Sequence, residues 1–225
     1  MNTSLTAVLP VYNAQQGLAA LVLHLLEVLP ELTSRFELLI IDDGSGDETP
    51  EAARELAMIY PQVRFARHPA RLGPQAAMST ALASSCGAWL LWRSEQCQLE
   101  LDDVRKLWWL RDEAELVLGR GPGETPLHRL PLLASPGATT WPAEAELALV
   151  CRRLLLPWRS AQSREPWLSF ALRMRPTCRE VELRRPSVTH TPERDAPAPR
   201  VPPPAGLLRR PAGSLEHIKA FVLGE

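Results

Sequence analysis

Short apolar runs and segments of helical periodicity alternate along the first half of the chain. Apolar residues recur every three or four positions over Gln15–Leu29, which predicts an amphipathic helix that ends at Pro30. Leu5–Val11 before this helix and Glu37–Asp42 after it are short apolar runs bounded by turn residues. Such runs are typical of strands that are buried on both faces, as in a parallel sheet.

The same alternation continues toward the middle of the chain. Helices are predicted over Glu51–Ile59, Gln75–Ser84 and 101–111, and strands over Val63–Ala66, Ala88–Trp92 and Glu115–Gly119. Strands and helices that alternate in this way favour a mostly parallel sheet with right-handed crossovers. The sequence therefore predicts an α/β, Rossmann-like fold with helices on both faces of the sheet.

The second half of the chain has weaker patterns. We expect a long loop over Arg120–Pro142, where prolines, glycines and threonines interrupt every period, and then helices over Ala143–Leu156 and Glu165–Met174. Cys178–Leu183 alternates between apolar and polar residues, which predicts an antiparallel edge strand.

The composition changes after Arg185, where prolines become frequent. We therefore expect an α/β domain over 1–185 and a Pro-rich, extended or disordered linker over 186–213. Residues 214–225 can form a short C-terminal helix that reaches a protein partner. A frayed tail is the equally weighted alternative for this segment.

Charge and cysteine usage exclude several classes of protein. The formal net charge of -1 over 225 residues gives no electrostatic reason to expect nucleic acid as a partner. No run reaches the roughly 18 apolar residues that a membrane span needs, and the N-terminus lacks the pattern of a signal peptide. The cysteines show no paired or metal-binding spacing, so we expect reduced thiols in a cytoplasmic protein.

Two adjacent carboxylates, Asp42 and Asp43, end the second predicted strand and precede a Gly-Ser-Gly turn. Because open α/β sheets bind ligands at the carboxyl ends of their strands, these acids are candidate ligand contacts. The alternative is that they only cap the turn and the helix that follows it.

Four segments extend this interpretation: LTAVLPVYN at Leu5–Asn13, LLIIDDGSGDET at Leu38–Thr49, LGPQAAMSTALASSCGAWLLW at Leu72–Trp92 and ELVLGR at Glu115–Arg120. Together they resemble the GT-A fold glycosyltransferases of family 2 over about the first half of the chain. The resemblance implies a protein that binds a nucleotide sugar, UDP-linked, and transfers the sugar to an acceptor hydroxyl.

The resemblance also implies roles for individual residues. Asp43 matches the acid that binds the nucleotide base in the family, and Pro10, Val11 and Tyr12 match the wall of that pocket. Arg71 matches a region that lines the nucleotide. An ordinary solvated arginine is the equally weighted alternative for Arg71.

The chain departs from the family directly after the fourth predicted strand. The family has an Asp-x-Asp motif there, whose carboxylates hold Mg²⁺ or Mn²⁺ against the diphosphate. Here Arg93–Cys97 reads RSEQC, and both aspartates, expected at Ser94 and Gln96, are absent. Glu95 alone, beside an arginine, is a poor metal site. Arg93 could instead offset the diphosphate charge directly, provided that it faces the cleft.

An inverting transferase also needs a general base. Glu144 and Glu146 are the nearest carboxylates in the matching part of the chain, although acids near a helix N-terminus are common for electrostatic reasons alone, and we favour that interpretation. Two hypotheses therefore stand: an active transferase, or a catalytically inactive member that serves as a nucleotide-binding or partner-binding regulatory subunit. An unrelated Rossmann-type binder is disfavoured because no GxGxxG or GxxxxGK loop follows a predicted strand.

Overall fold

A mixed sheet forms the central layer of the computed structural model, which describes residues 3–95, 97–121, 145–161 and 165–184. Within these residues the strands are β1 (Leu5–Val11), β2 (Phe36–Asp42), β3 (Val63–Arg67), β4 (Trp89–Arg93), β5 (Leu116–Arg120), β6 (Leu147–Cys151) and β7 (Cys178–Glu182). Their spatial order is β3-β2-β1-β4-β6-β5-β7. β6 pairs antiparallel with β4 and β5, whereas the other pairings are parallel. The predicted mostly parallel sheet is confirmed.

Helices cover both faces of the sheet, as the sequence predicts. The described helices are α1 (Leu18–Leu32), α2 (Thr49–Ile59), α3 (Pro74–Ser84), α4 (Leu101–Trp109), α5 (Arg152–Ser160) and α6 (Trp167–Arg173). Helices α1, α2 and α4 share one hydrophobic core with one face of the sheet, and α3, α5 and α6 share a second core with the other face. None of these described helices is long and apolar enough to cross a membrane.

Burial on both faces explains the uninterrupted apolar run of β2. Leu38 and Ile40 belong to the core under α1 and α2, whereas Leu39 and Ile41 belong to the core under α3. Because successive side chains of a strand point to opposite faces, both sets must be apolar. The strand then delivers Asp42 and the residues after it to the carboxyl edge of the sheet.

Helix α1 differs from the predicted Gln15–Leu29 at both ends. Asn13 adopts a left-handed backbone conformation with φ of 50°, and the helix begins only at Leu18. Pro30 lies inside the last turn instead of ending the helix. Proline removes only one backbone donor there, and buried residues just before it, Val28 and Leu29, keep that turn packed on the sheet.

The predicted helix over Ala143–Leu156 is wrong over Leu147–Cys151 and confirmed from Arg152 onward. Leu147–Cys151 is the strand β6, and the helix that follows it, α5, begins at Arg152 and contains Pro157. A short apolar run fits a strand and a buried helix equally well, so periodicity alone does not separate them. Leu147–Cys151 forms a strand because it pairs with β4 and β5, which are distant in sequence.

The strand near Cys178 is confirmed at the edge of the sheet, but its predicted direction is wrong. β7 runs parallel to β5, from the pair Leu116↔Cys178 to the pair Arg120↔Glu182. The chain reaches it by way of β6 and two helices on one face, and a crossover of this kind returns it in the parallel direction. The predicted linker 186–213 and terminal helix 214–225 lie outside the described residues, so the boundary at 185 stays a prediction.

Two methionines test the packing of the helix layers. Met78 in α3 is fully buried, whereas Met58 in α2 is 80% exposed. We expect Met78→Ala to lower the free energy of unfolding by about 2–5 kcal/mol, because it leaves a cavity in the core under α3. Met58→Ala, the matched control, is expected to change it by less than about 0.5 kcal/mol. Denaturant unfolding measures both, and equal losses for the two variants would contradict this packing.

Candidate functional site

A cavity of about 600 Å³ opens at the carboxyl ends of β1 and β4. Its lining includes the predicted wall residues Pro10, Val11 and Tyr12, together with the residues that follow them up to the start of α1. Asp47, Arg93 and Glu95 add charged groups to the lining. The cavity therefore lies at the edge of the sheet where ligands of α/β proteins bind.

The loops after β1 and β2 form one rim of this cavity. The backbone N–H of Asn13 donates to Ser45 Oγ at 2.9 Å, and Asn13 Oδ1 accepts from the backbone N–H of Gly46 at 3.0 Å. Thr49 Oγ1 accepts from the N–H of Ala14 at 2.7 Å. The hydroxyl of Thr49, the first residue of α2, thus joins the two loops. These reciprocal bonds hold the residues after Tyr12 in place.

The Asp42 carboxylate is structural. It is fully buried, and its oxygens contact Arg67 Nε at 3.0 Å and the backbone N–H of Ser45 at 3.0 Å. Arg67 also donates to the carbonyl of Ser45 at 3.0 Å. Asp42 and Arg67 therefore fix the turn after β2, as the capping alternative predicts.

Asp43 is 1% exposed and does not line the cavity. Its Oδ1 lies 2.7 Å from His68 Nδ1 and accepts from the backbone N–H of Leu72 at 2.9 Å, while Oδ2 accepts from that of Gly73 at 2.8 Å. The other ring nitrogen of His68 contacts Thr80 Oγ1 at 2.8 Å. In this conformation Asp43 anchors the loop between β3 and α3, and its base-binding role stays a prediction.

Opposing effects act on the pKa of the Asp43 carboxyl. Burial alone raises it, but the hydrogen bonds from His68 and from the backbone of Leu72 and Gly73 outweigh burial and hold the pKa below its ordinary value of 3.8. A carboxylate can only accept hydrogen bonds, so His68 Nδ1 carries the proton that points at Asp43. The anchor is therefore an ionised acid at neutral pH.

The side chain of Arg71 extends from the loop between β3 and α3 to Tyr12 in the cavity wall. Its guanidinium carbon lies 4.1 Å from the centroid of the Tyr12 ring, and its Nη2 donates to Glu95 Oε2 at 3.1 Å. A guanidinium stacked on an aromatic face is attracted by the ring quadrupole. The structure thus brings together Tyr12, Arg71 and Glu95, which come from three different segments.

Arg93 lines the same cavity at the end of β4. Its Nη2 donates to the carbonyl of Cys97, whereas its Nε is buried and has no hydrogen-bond partner. Burial lowers the pKa of Arg93, and the nearby Cys97 and Glu95 act in the opposite direction. An arginine keeps its charge in proteins, so this guanidinium is a cation.

The other residues of the altered motif do not form an acid cluster. The backbone N–H of Ser94 donates to the carbonyl of Glu146 at 2.8 Å, which places exposed Glu146 beside the end of β4. Burial raises the pKa of the Cys97 thiol to about 11, so it is protonated. Gln96 and Glu144 lie outside the described residues. The role of Glu146 as a base stays a prediction.

A divalent metal ion does not fit the residues at this edge of the sheet. Among the described residues, no three His, Cys, Asp or Glu side chains lie close enough to share an ion. Glu95 is paired with Arg71, and the Cys97 thiol is not a ligand for Mg²⁺ or Mn²⁺, which prefer oxygen. Among the described residues, this edge therefore lacks the oxygen ligands that the Asp-x-Asp motif supplies.

Sequence reasoning missed His68, Gln15 and Asp47. His68 pairs with Asp43, Gln15 Oε1 accepts from the backbone N–H of Glu48 at 2.9 Å, and Asp47 lines the cavity. All three follow predicted strands or turns at the carboxyl edge of the sheet. Their position at that edge could have marked them as candidate site residues, but the local sequence pattern does not indicate their hydrogen-bond partners.

A mostly parallel sheet with one antiparallel strand between β4 and β5, and a cavity at the ends of β1 and β4, define a GT-A type glycosyltransferase fold. The family model described as Glycosyl transferase family 2 matches residues 6–122, which is more than half of the chain. The chain belongs to this family.

Individual relatives are more distant. A dolichyl-phosphate beta-glucosyltransferase of Trichomonas vaginalis is 27% identical over 109 residues, which are 45% of this chain and 32% of that protein. TarS 1-349 of S. aureus in complex with UDP-GlcNAc has a TM-score of 0.54 and 13% identity over 82% of this chain and 60% of that one. The mannosyltransferase PcManGT of Pyrobaculum calidifontis, in complex with GDP-Man and Mn²⁺, has a TM-score of 0.54 and 17% identity over 81% and 55%.

The chain spans about a third of the length of this curated relative and a little over half of the two solved chains. At these identities the two structures establish the fold alone.

Two glycines of the turn after β2 test how tightly the Arg71 loop packs on it. Gly44 has a φ of 78°, and a Cβ there would lie 2.5 Å from the carbonyl carbon of Ala70, whereas a Cβ on Gly46 meets nothing within 4 Å. We expect Gly44→Ala to lower the free energy of unfolding by roughly 1–3 kcal/mol through backbone strain. Gly46→Ala is the control, expected to change it by less than about 0.5 kcal/mol. Equal urea midpoints for the two variants would contradict the close packing of the Ala70 backbone on Gly44.

The Asp43 anchor predicts a pH dependence. A carboxyl whose folded pKa is lowered contributes stability above its unfolded pKa, and this stability is lost as the pH falls through the folded pKa. We expect Asp43→Asn to cost about 1–3 kcal/mol at pH 7, because an NH₂ group replaces one carboxylate oxygen and leaves a buried donor without its acceptor. The difference in the free energy of unfolding between Asp43→Asn and the unmodified protein should shrink below pH 3.8.

Unfolding midpoints at pH 7, 5, 4 and 3 measure this deficit, with exposed Asp112→Asn as the control. A deficit of the same size at every pH would show that the charge of Asp43 does not stabilise the fold.

Proposed function

We propose that the chain binds a nucleotide sugar, UDP-linked, in the cavity at the ends of β1 and β4, and transfers the sugar to an acceptor hydroxyl. The observation that carries the proposal is the cavity wall of Pro10, Val11 and Tyr12, which lies within the segment matched by the family model. This wall gives a base a flat apolar surface, and charged side chains border it.

The Tyr12 ring is the platform for the base in this proposal. Arg71 covers that ring in the present conformation, so a bound base would displace the guanidinium or lie beside it. When displaced, Arg71 would exchange its contact with Glu95 for one with the nucleotide. The loop that carries Arg71 is exposed at this residue, which leaves room for such a movement.

Asp43 would supply the specific contact with the base. A carboxylate has about four acceptor positions, and three are used by His68, Leu72 and Gly73. One acceptor position on Oδ2 is left for a ring N–H of the base. Because Asp43 is buried and bonded to Leu72 and Gly73, the proposal requires this segment to shift when the nucleotide enters, and any bond that breaks then frees a further acceptor position.

Relatives support the class of ligand. The TarS and PcManGT structures contain UDP-GlcNAc and GDP-Man, which are both nucleotide sugars. Because one structure contains a uridine nucleotide and the other a guanosine nucleotide, titration decides the base; we propose uridine.

A second candidate is a nucleotide-binding regulatory subunit without catalysis. The specific observation in its favour is that Ser94 stands where the family carries its first motif aspartate, and Arg93 precedes it. A site that keeps the base wall but loses the acids would still bind the nucleotide. For an active enzyme, Glu146, whose carbonyl accepts from the N–H of Ser94, is the candidate general base.

Calorimetric titration of the full chain with UDP, GDP and their sugar conjugates tests the binding step. We expect UDP to bind to the unmodified chain. Tyr12→Ala should weaken UDP binding roughly tenfold, because stacking of a base on an aromatic ring is worth about 1–3 kcal/mol. Tyr12→Phe keeps the ring and should bind UDP nearly as well as the unmodified chain does. Failure of every nucleotide to bind would refute both candidates.

A nucleotide-release assay with the sugar conjugates then separates the two candidates. Release of UDP together with transfer of the sugar to a hydroxyl supports the transferase. Tight binding without release supports the regulatory subunit.

A further inference from the structure

We propose that Arg93 takes the place of the divalent cation in this chain, so that the site binds the diphosphate of a nucleotide through a guanidinium and without a metal ion. This inference rests on the proposed function and concerns the same cavity. It follows from the position of Arg93, from its unused donor and from the charges around it.

Arg93 is placed at the point where a diphosphate would lie. It is the last residue of β4, and β4 pairs directly with β1 up to the contact Val8↔Trp92. The loop after β1 carries Tyr12, so the guanidinium and the base platform border one cavity. A nucleotide with its base against Tyr12 would therefore direct its phosphates toward the end of β4.

The side chain of Arg93 is anchored but incompletely satisfied. Its Nη2 donates to the carbonyl of Cys97, which holds the guanidinium in the turn after β4. Its Nε is buried without a hydrogen-bond partner. Leaving a buried donor unpaired is costly, and hydrogen bonds between arginine and phosphate oxygens are among the strong, charge-assisted ones. Because this Nε has almost no accessible surface, an anion in the cavity would remove this cost by drawing the guanidinium toward itself.

The charges of the two arrangements are equivalent for an anion. Two motif carboxylates and one divalent ion sum to zero, whereas Arg93 with uncharged Ser94 and Gln96 gives one positive charge. Glu95 adds one negative charge, and Arg71, 3.1 Å away, balances it. Asp47, which also lines the cavity, adds a second negative charge, so Arg93, Arg71, Glu95 and Asp47 sum to zero, as two motif carboxylates with their divalent ion do.

Titration with UDP and with uridine tests the inference, because uridine has the base and lacks the phosphates. We expect the unmodified chain to bind UDP with the same affinity, within about twofold, in EDTA and in Mn²⁺. Arg93→Gln should weaken UDP binding at least about tenfold through loss of charge-assisted bonds and leave uridine binding unchanged within about twofold. Arg179→Gln, in the edge strand β7 and outside the cavity lining, is the control and should behave as the unmodified chain does.

Four results would overturn the inference. UDP binding that requires Mn²⁺ would show that a metal ion is used, and the proposed function would stand. Unchanged UDP binding by Arg93→Gln would show that the guanidinium does not meet the phosphates. Loss of uridine binding in the same variant would show that Arg93 only supports the fold of the site. Binding of neither ligand by the unmodified chain would refute the proposed function, and with it this inference.

Discussion

The buried Asp43 carboxylate joins the segments that surround the cavity. Its own backbone N–H donates to the carbonyl of Val11 at 2.9 Å, and its side chain accepts from His68, Leu72 and Gly73. Burying a charge is unfavourable unless hydrogen bonds replace the water that it loses. Three donors do so here, and the ends of β1 and β2 are thereby tied to the loop before α3.

This anchor determines where the cations of the site can lie. Arg71 comes directly before Leu72, so fixing Leu72 and Gly73 leaves only the side chain of Arg71 free to extend, and it extends over Tyr12. Gly44 contributes to the same arrangement, because only a residue without a Cβ lets the backbone of Ala70 approach so closely. The stack on Tyr12 thus depends on contacts that are themselves outside the cavity.

Local patterns were sufficient for the first half of the fold. β1 and β2 could be predicted because their side chains are buried on both faces, and their ends because turn residues follow them. The cavity wall at Pro10, Val11 and Tyr12 was implied by the family resemblance, and these residues do line the cavity. The partner of Asp43 could not be predicted in this way: His68 lies in a different loop, and only the pairing of β2 with β3 brings the two together. The same limit explains the helix predicted where β6 lies. The strand conformation of β6 depends on pairing with β4 and β5 and not on its own residues.

Membership of the family and the chemistry of the site are separate questions, because the sheet and the motif depend on different residues. Adjacent carboxylates of a metal site repel one another until an ion binds. The turn after β4 has no such repulsion: Arg93 is held by the carbonyl of Cys97, and Glu95 is held by Arg71. This turn is therefore electrostatically compensated without any ion, whereas the fold continues to supply the cavity and its wall of Pro10, Val11 and Tyr12. A chain that replaces both acids of the motif in this way keeps a cation, Arg93, at the cavity and lacks the two carboxylates that hold the usual metal ion.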